Sequence, residues 1–181
     1  ENNYLTVFDF LKGFVQIGLD EDSRPLTAFT YENERYQWAR LPMGQTNSSS
    51  QFARAMTILF SKVPFQALIS YLDDILVGSK TVDEHLKRLR FVFERLSWGN
   101  LKVSPHKCQL SKKDGVKFLG HRISSEGLQI DDNRINAVQD LPEPKNKKQL
   151  QQFLGTMNYM RSFIYKFAEI AAPLYAMLKK E

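Results

Sequence analysis

The chain has 181 residues, 43% of them hydrophobic and 12% aromatic, which is enough apolar material for one large domain or two small ones. Its one cysteine excludes an internal disulfide and favours an intracellular, reducing setting over secretion, and no apolar run is long enough for a transmembrane helix. The net charge of +5 is uneven: residues 1–79 carry −3, 80–122 carry +7, 123–144 carry −4 and 145–181 carry +5. An acidic part beside basic blocks suits a metal site next to a polyanion, although charged helix surfaces produce the same pattern.

The first quarter of the chain predicts strands followed by a helix. LTVFDF (5–10) is typical of a short buried strand, and residues 26–42 predict two strands around a polar turn at Glu32–Arg35. The loop LPMG (41–44) is followed by a polar run, Gln45–Ser50. That run predicts a helix start, because Asn and Ser are good N-caps.

The middle of the chain predicts a hairpin and an amphipathic helix. QALISYLDDILVGS (66–79) predicts strand, turn, strand, with Asp73 and Asp74 at the turn, where two residues suffice to join the strands. Thr81–Glu84 has the spacing of a capping box, and apolar residues follow it at helical spacing. Gly99–Asn100 is predicted to end that helix.

The last third of the chain changes character. VKFLGHRIS (116–124) predicts one strand, and SEGLQID (125–131) predicts a turn back as a hairpin. Asn146–Gln149 predicts a helix cap, and Pro173 is predicted at the first position of a last helix, where proline is tolerated. We therefore expect a soft boundary near 115–130, between a β-rich mixed unit and a more helical one.

Two adjacent aspartates among apolar residues need a compensating positive charge. Burying carboxylates without a partner costs several kcal/mol, so Asp73 and Asp74 require a Lys or Arg side chain or a divalent cation. Asp9 lies at the end of another apolar strand, and it would join them if the two strands are neighbours. Three carboxylates could then hold two Mg²⁺ or Mn²⁺ ions. The alternative is an ordinary surface turn, against which the apolar flanks of the pair argue.

Several stretches, in the same order, resemble motifs of reverse transcriptases. The closest subtype is that of gypsy-like long-terminal-repeat retrotransposons and retroviruses. The matching stretches, from the first catalytic strand to the thumb, are FDFLKGF (8–14), LPMGQTNSSSQF (41–52), YLDD (71–74), HLKRLRFVFERL…NLKVSPHKC (85–108), KFLGHRIS (117–124) and QLQQFLGTMNYMRSFIYKFAEIAAPL (149–174).

The resemblance implies a chemical role for four residues. It makes Asp9, Asp73 and Asp74 catalytic residues that bind two Mg²⁺ or Mn²⁺ ions. The fourth catalytic residue is Lys107, which would protonate the leaving pyrophosphate. The implied reaction is attack of a primer 3′-hydroxyl on the α-phosphate of a deoxynucleoside triphosphate, templated by RNA or DNA.

The resemblance also implies binding roles. Phe14 would lie under the sugar and exclude a ribose 2′-hydroxyl, and an ordinary core position is its alternative. The other implied nucleotide-binding residues are Phe10, Met43, Gly44, Gln45 and Tyr71. The implied primer grip consists of Phe118, Leu119 and Gly120. The implied contacts to the nucleic-acid backbone are Lys145, Lys147, Lys148 and Arg161.

For the fold, the resemblance implies an α+β class. Residues 1–115 would form a polymerase palm, an antiparallel sheet with helices on one face, and residues 116–181 the primer-grip hairpin, a mostly helical thumb and the start of the connection. The implied partners are a template with primer, the nucleotide and either the rest of a pol polyprotein, including fingers and RNase H, or a second chain. No membrane partner is expected, and the implied location is a cytoplasmic virus-like particle.

The sequence departs from the family pattern in three places. Basic fingers would precede the first catalytic strand, yet this sequence starts almost at that strand, so we expect poor nucleotide binding without them. After Asp9 the family commonly has Leu-Lys-Ser-Gly, where this chain has Phe-Leu-Lys-Gly. A usual Asn-Ala-Pro is Asn47-Ser48-Ser49 here, and we expect the loss of proline to loosen the helix start.

Other functions stay open at this point. A non-catalytic remnant could bind nucleic acid or a protein partner. Another palm-type enzyme, such as a nucleotidyl cyclase, would lack the primer grip and the basic thumb. A metal-dependent hydrolase is disfavoured because no histidine joins the carboxylates.

Overall fold

The structure, a computed structural model, describes residues 2–63 and 68–179, without the side chains of 132–134. The strands are β1 (Tyr4–Asp9), β2 (Phe29–Tyr31), β3 (Glu34–Tyr36), β4 (Leu68–Tyr71), β5 (Asp74–Ser79), β6 (Gln109–Lys112), β7 (Val116–Phe118), β8 (His121–Ser124) and β9 (Gly127–Ile130). The α-helices are α1 (Ser48–Leu59), α2 (Val82–Trp98), α3 (Asp132–Gln139), α4 (Lys147–Tyr159) and α5 (Phe167–Lys179). Three 3-10 helices are Gly13–Gln16, Glu21–Thr27 and Arg161–Phe163. The first residues of the strand predicted from 66 lie outside the described residues.

The central sheet has four antiparallel strands in the order β4-β5-β1-β6. β1 pairs with β5 along its whole length, from Tyr4 opposite Ser79 to Asp9 opposite Asp74. The strand that carries Asp9 is therefore a direct neighbour of the hairpin that carries the aspartate pair, as the convergence of the three carboxylates requires.

Side-chain alternation gives this sheet two apolar faces. One face packs against α1 and α2, and the other packs against β7. The first cluster includes Phe8, Ile75 and Val77 of the sheet, Phe52, Met56 and Leu59 of α1, and Leu89, Val92 and Leu96 of α2. The second cluster consists of Leu5, Val7, Leu76, Val116 and Phe118. The expected α+β sheet with helices on one face is thus confirmed, while the division at residue 115 stays a prediction.

A buried histidine ties α2 to the central strands. His85 is 1% exposed, and its Nε2 lies 2.8 Å from Thr6 Oγ1 while its Nδ1 lies 2.8 Å from Ser79 Oγ. Thr6 Oγ1 also accepts the backbone N–H of Ser111 at 2.9 Å, and Ser79 Oγ donates to Thr81 O at 3.2 Å. All hydrogens find an acceptor when Thr6 donates to Nε2 and Nδ1–H donates to Ser79, so the network favours the neutral Nδ1–H imidazole.

The ends of α2 follow their local sequence signals. Thr81 Oγ1 accepts the N–H of Glu84 at 3.3 Å, and Glu84 Oε2 accepts the N–H of Lys80 at 2.9 Å. This is the predicted capping box, with the glutamate reaching one residue further back than usual. At the other end Asn100 takes the left-handed conformation, with φ 51°, that commonly follows a helix.

The stretch 116–124 is two strands, so the prediction of one strand is wrong. Phe118 pairs with His121 across a two-residue turn, in which Leu119 has φ 51° and Gly120 has φ 73°. Two left-handed residues in succession are typical of a type I′ turn, whose twist joins β7 to β8. The predicted hairpin that follows is confirmed as β8 and β9, which complete a three-stranded sheet.

The prediction for Pro173 is also wrong, because α5 begins at Phe167 and passes through the proline. Phe167 and Ala171 lie before Pro173 and pack against Leu150 and Leu154 of α4. This packing stabilises helical turns that the proline alone would not predict. α4 itself begins as predicted, because Asn146 Oδ1 accepts the N–H of Gln149 at 2.9 Å. None of the described helices is long and apolar enough to span a lipid bilayer.

Candidate active site

The three aspartates lie at one end of the central sheet. Asp9 is the last residue of β1, Asp74 is the first of β5, and the two are paired across the strands. Asp73 occupies the hairpin turn next to them, and its carbonyl accepts the N–H of Phe10 at 3.2 Å. The structure therefore brings all three predicted metal ligands to one corner.

The β4–β5 turn consists of Leu72 and Asp73, one residue earlier than predicted, because Tyr71 and Asp74 still form a strand pair. Leu72 has φ 48°, which is uncommon for a bulky residue and costs on the order of 1–3 kcal/mol. A single left-handed residue at the first turn position is the pattern of a type II′ turn. The short turn holds Asp73 and Asp74 in a fixed relation to the strand ends.

Gly13 allows the segment after β1 to approach this turn closely. A Cβ atom on Gly13 would lie 3.1 Å from Phe52 Cζ, 3.2 Å from Asp73 Cβ and 3.3 Å from Phe10 Cβ. These separations are tighter than nine in ten observed Cβ contacts, so a side chain here would push on the carboxylate turn. Sequence reasoning noted the motif around Gly13 without assigning this packing role.

The carboxylates repel one another. Burial raises the pKa of the Asp74 carboxyl above its usual value, and the negative charges of Asp73 and Asp9 raise it further. The positive charge of Lys107 opposes these effects by lowering the Asp74 pKa. A cation placed among the three carboxylates would relieve the same repulsion.

Lys107 lies at the corner, as a catalytic role would require. Its Nζ is 3.6 Å from Asp9 Oδ1, and its side chain is 69% exposed. The segment that carries it is held to β1, because Ser104 donates its N–H to Asp9 O at 2.8 Å and Lys107 donates its N–H to Ser104 O at 3.1 Å. Such an exposed ion pair contributes about 0–1 kcal/mol to stability, so the lysine can leave Asp9 at little cost.

The residue types at this corner fit divalent cations. Carboxylate oxygens are hard ligands that suit Mg²⁺ and Mn²⁺. Within residues 2–63 and 68–179, however, no three Asp, Glu, His or Cys side chains are arranged so that they could hold a metal ion. The backbone therefore supplies the right residues in the right place, and the carboxylates must reorient to share an ion.

Most of the predicted nucleotide-binding residues are accessible. Met43 is 64% and Tyr71 is 56% exposed. Gly44 and Gln45 are also exposed, and a Cβ on Gly44, whose φ is 86°, would meet nothing within 4 Å. The positive φ at position 44 thus favours glycine, and the space that a side chain would occupy there is open.

The two predicted phenylalanines differ in burial. Phe14 is half-buried, with its ring centroid 5.0 Å from that of Phe52, so it contacts the core, while its role beneath a nucleotide sugar stays a prediction. Phe10 is only 3% exposed and packs edge-on against Phe52 at 5.8 Å. Its ring therefore supports the corner from inside the core, where a nucleotide would not reach it.

Two polar side chains that sequence reasoning missed hold the loops of the site. Ser48, 3% exposed, donates to Pro42 O at 2.6 Å and so pins the 41–44 loop to the start of α1, where looseness was expected. Gln16 donates to the carbonyls of Leu11 and Lys102 at 2.7 and 2.9 Å, and its Oε1 accepts the N–H of Lys102 at 2.6 Å. A glutamine two residues past Phe14 carries no signal of this role in the sequence alone.

The predicted primer-grip and backbone-binding residues lie further along the chain. Phe118 is buried under the sheet, while Leu119 and Gly120 form the β7–β8 turn. Lys145, Lys147, Lys148 and Arg161 are all exposed. The first three flank the start of α4, where backbone N–H groups also favour anions. Their contacts with nucleic acid stay predictions.

Comparison with known proteins agrees with this geometry. Residues 1–123 match the family model described as reverse transcriptase (RNA-dependent DNA polymerase). The Pol polyprotein of Drosophila melanogaster transposon 297 is 36% identical over 177 residues, covering 98% of this chain and 17% of the relative. The Pro-Pol polyprotein of simian foamy virus type 1 is 34% identical over 175 residues, covering 97% of this chain and 15% of the relative. The chain thus spans about a sixth of the length of these relatives.

Solved structures show the same fold. The foamy viral protease-reverse transcriptase in complex with double-stranded DNA superposes with a TM-score of 0.91 at 34% identity, over 99% of this chain and 31% of that one. The same kind of enzyme in complex with an RNA/DNA hybrid gives a TM-score of 0.85 at 35% identity, over 97% of this chain and 24% of that one. Together with the family match and the aspartate corner, these similarities show that the chain belongs to the reverse transcriptase family, in the branch of retrotransposon and retroviral Pol polyproteins.

Proposed function

We propose that this chain forms the catalytic core of an RNA-directed DNA polymerase, which adds deoxynucleotides to a primer 3′-hydroxyl on an RNA or DNA template. The observation that carries the proposal is the strand register that pairs Asp9 with Asp74 and places Asp73 in the adjoining turn. The raised pKa of Asp74 supports it, since groups with perturbed pKa values cluster at functional sites.

Each part of the site has a task in this reaction. Asp9, Asp73 and Asp74 would hold two Mg²⁺ or Mn²⁺ ions, which when bound lower the pKa of the attacking hydroxyl and stabilise charge on the phosphates. Lys107 would donate a proton to the leaving pyrophosphate after releasing Asp9. The base is chosen by pairing with the template, so the protein needs to recognise only the shape of the pair.

The pocket residues have positioning tasks. Phe14 would exclude the 2′-hydroxyl of a ribonucleotide, because its packing against Phe52 limits how far the ring can retreat. Met43, Gly44, Gln45 and Tyr71 would line the nucleotide from the solvent side. Leu119 and Gly120 would contact the primer end, and the basic residues around α4 would bind the duplex backbone, where phosphate contacts supply most of the affinity.

The proposal includes protein partners. The relatives are polyproteins, and we propose that fingers and RNase H of such a polyprotein, or a second chain, complete this unit in a cytoplasmic virus-like particle. The β2–β3 hairpin supports this, because all six of its strand residues are exposed and Phe29 stacks on Tyr36 with centroids 5.7 Å apart. A two-stranded hairpin with an exposed aromatic face is marginally stable alone.

Primer extension on an RNA template, with Mg²⁺ and with Mn²⁺, tests the proposal. The parent chain is compared with Asp73→Asn, and with Asp140→Asn as a matched control at an exposed carboxylate outside the site. Extension by the parent and the control, abolished in Asp73→Asn, would establish the polymerase. Absence of both extension and duplex binding in the parent would overturn the nucleic-acid proposal for this chain.

A second candidate is a non-catalytic remnant that binds nucleic acid or a protein partner. It would require only the exposed basic residues at the start of α4, Lys145, Lys147 and Lys148, and no metal at the aspartate corner. It predicts salt-sensitive duplex binding without extension. Adding fingers from a longer chain would then decide, because restored extension supports the polymerase and continued inactivity supports the remnant.

A further inference from the structure

The β7–β8 turn is hydrogen-bonded to the last residue of α4. Tyr159 Oη donates to the carbonyl of Leu119 at 3.0 Å, and His121 Nε2 lies 3.3 Å from the same Oη. The tyrosine has a single hydroxyl hydrogen, which goes to Leu119. His121 must therefore donate from Nε2 to Tyr159 Oη, giving one directed chain from the histidine through the tyrosine to the turn.

Ring packing reinforces this contact. The His121 and Tyr159 rings are nearly parallel, 6° apart, with centroids separated by 5.7 Å, and Phe163 stacks on His121 at 5.6 Å. His121 Nδ1 is buried and has no hydrogen-bond partner among the described residues. Burying an unpaired N–H costs more free energy than burying an unpaired nitrogen lone pair. Nδ1 is therefore the nitrogen without a hydrogen, and the hydrogen is again assigned to Nε2.

We propose that His121, Tyr159 and Phe163 act as a latch that positions the β7–β8 turn relative to α4 when a primer end is bound. The turn carries Leu119 and Gly120, and the start of α4 carries Lys147 and Lys148. A rigid link between them sets the distance between the primer end and the duplex backbone. This inference rests on the proposed function, because it assumes that the turn contacts a primer.

If the latch positions the turn, loss of its hydrogen bonds should weaken contact with the primer end more than binding of the duplex as a whole. Tyr159→Phe keeps the ring stack and removes the hydroxyl that bonds Leu119 and His121. His121→Phe keeps the stack and the Tyr159–Leu119 bond and removes only the histidine's donation. We expect Tyr159→Phe to bind a recessed primer end roughly fivefold more weakly, the equivalent of one ordinary hydrogen bond, and His121→Phe to have a smaller effect.

The experiment uses two fluorescent probes on one primer–template duplex bound to the full chain. 2-Aminopurine at the primer 3′ nucleotide reports the environment of the end, and fluorescein at the far end reports overall binding by anisotropy. Thr156→Ser, which changes an exposed side chain of α4 that bonds Gln152 O, is the matched control. Selective loss of the 2-aminopurine response in Tyr159→Phe, with anisotropy and the control changing less than twofold, supports the latch.

Other outcomes separate the latch from the proposed function. If the parent binds the duplex and both probes respond equally in every variant, the latch is overturned and the proposed function stands. If the parent binds no duplex, both are overturned. Proton NMR of the free chain gives an independent check: the chemical shifts of the His121 ring protons should change more in Tyr159→Ala than in Tyr159→Phe, while the ring of Phe163 stays stacked on the histidine in both variants. Equal His121 shifts in the parent and Tyr159→Ala would overturn the latch.

Discussion

The buried histidine of α2 offers a direct test of how the central strands are held together. His85→Phe keeps an aromatic ring of similar size and removes the two 2.8 Å hydrogen bonds to Thr6 and Ser79. Thr6 then has a hydroxyl hydrogen without an acceptor in a site where it is 0% exposed. At about 1–2 kcal/mol for each lost bond, we expect the free energy of unfolding to fall by about 2–4 kcal/mol.

The pH dependence of stability gives a second signature of the same residue. Burial lowers the pKa of His85, and the positive charge of Arg88 lowers it further while Glu84 raises it. The other groups around the imidazole are the hydroxyls of Thr6 and Ser79 and the ring of Tyr4, over which Lys113 Nζ lies at 5.2 Å. A neutral imidazole is thus part of the native state.

The sign of the effect follows from proton linkage. Well above pH 6.5, the ordinary pKa of histidine, the His85 imidazole is neutral in both the folded and the unfolded chain, and the stability that its buried network contributes is fully present. As the pH falls below 6.5, the unfolded chain binds a proton before the folded one, so stability decreases, with a limiting slope of about 1.4 kcal/mol per pH unit. Asp74 acts in the opposite sense and at lower pH, because its pKa is raised in the folded chain.

Urea unfolding followed by circular dichroism, repeated from pH 8 to pH 5, measures both effects. His106→Phe is the matched control, because His106 is exposed. The parent and the control should lose stability together below pH 6.5, and His85→Phe should be less stable at pH 8 with a flatter profile. Equal slopes in all three proteins, or a cost below 1 kcal/mol at pH 8, would refute the reasoning about the network.

Three further substitutions test the corner and its supports. Gly13→Ala should lower the free energy of unfolding by about 1–3 kcal/mol, because the new Cβ meets Asp73 and Phe52. As a control, Gly155→Ala should raise it by about 0.5–1 kcal/mol, because a Cβ there meets nothing within 4 Å and alanine favours the helix. Equal effects of the two substitutions in urea unfolding would contradict this. Asp74→Asn should raise the melting temperature by roughly 1–3 °C while abolishing extension, and a lower melting temperature would show that carboxylate repulsion is not significant. Ser48→Ala should cost about 1–2 kcal/mol in urea unfolding by leaving Pro42 O unpaired, and an unchanged midpoint would argue that water replaces the hydroxyl.

Local signals in the sequence predicted most of the elements correctly. The first strand, predicted at 5–10 and observed at Tyr4–Asp9, the capping box at Thr81 and the cap at Asn146 each depend on residues within one turn or one strand, so nearby sequence was sufficient. The errors arose where a local pattern had two interpretations. Leu119 and Gly120 interrupt an apolar run without the Asn-Gly or Asp-Gly sequence that marks a type I′ turn, and so two strands resembled one.

The carboxylates of the candidate site could be predicted from the sequence, but the side chains that hold its loops in place could not. The apolar flanks of Asp73 and Asp74 and the position of Asp9 indicated convergence, which the strand order confirms. The contacts of Gln16 with Lys102 depend on the paths of two loops that are far apart in the chain. Loop paths follow from tertiary packing, and a single sequence contains no pattern that encodes them.

The position of β1 in the sheet has a consequence for biosynthesis. β1 is synthesised well before both of its neighbours in the sheet, since Asp9 pairs with Asp74 and Leu5 with Lys112. Contacts between such distant residues form slowly, and domains fold as their chain emerges from the ribosome. Until β5 and β6 are synthesised, an apolar strand with two open edges is available to other nascent chains. We therefore expect truncations that end before Gln109 to aggregate, and the carboxylate corner to form only after the segment that carries Lys107 has emerged.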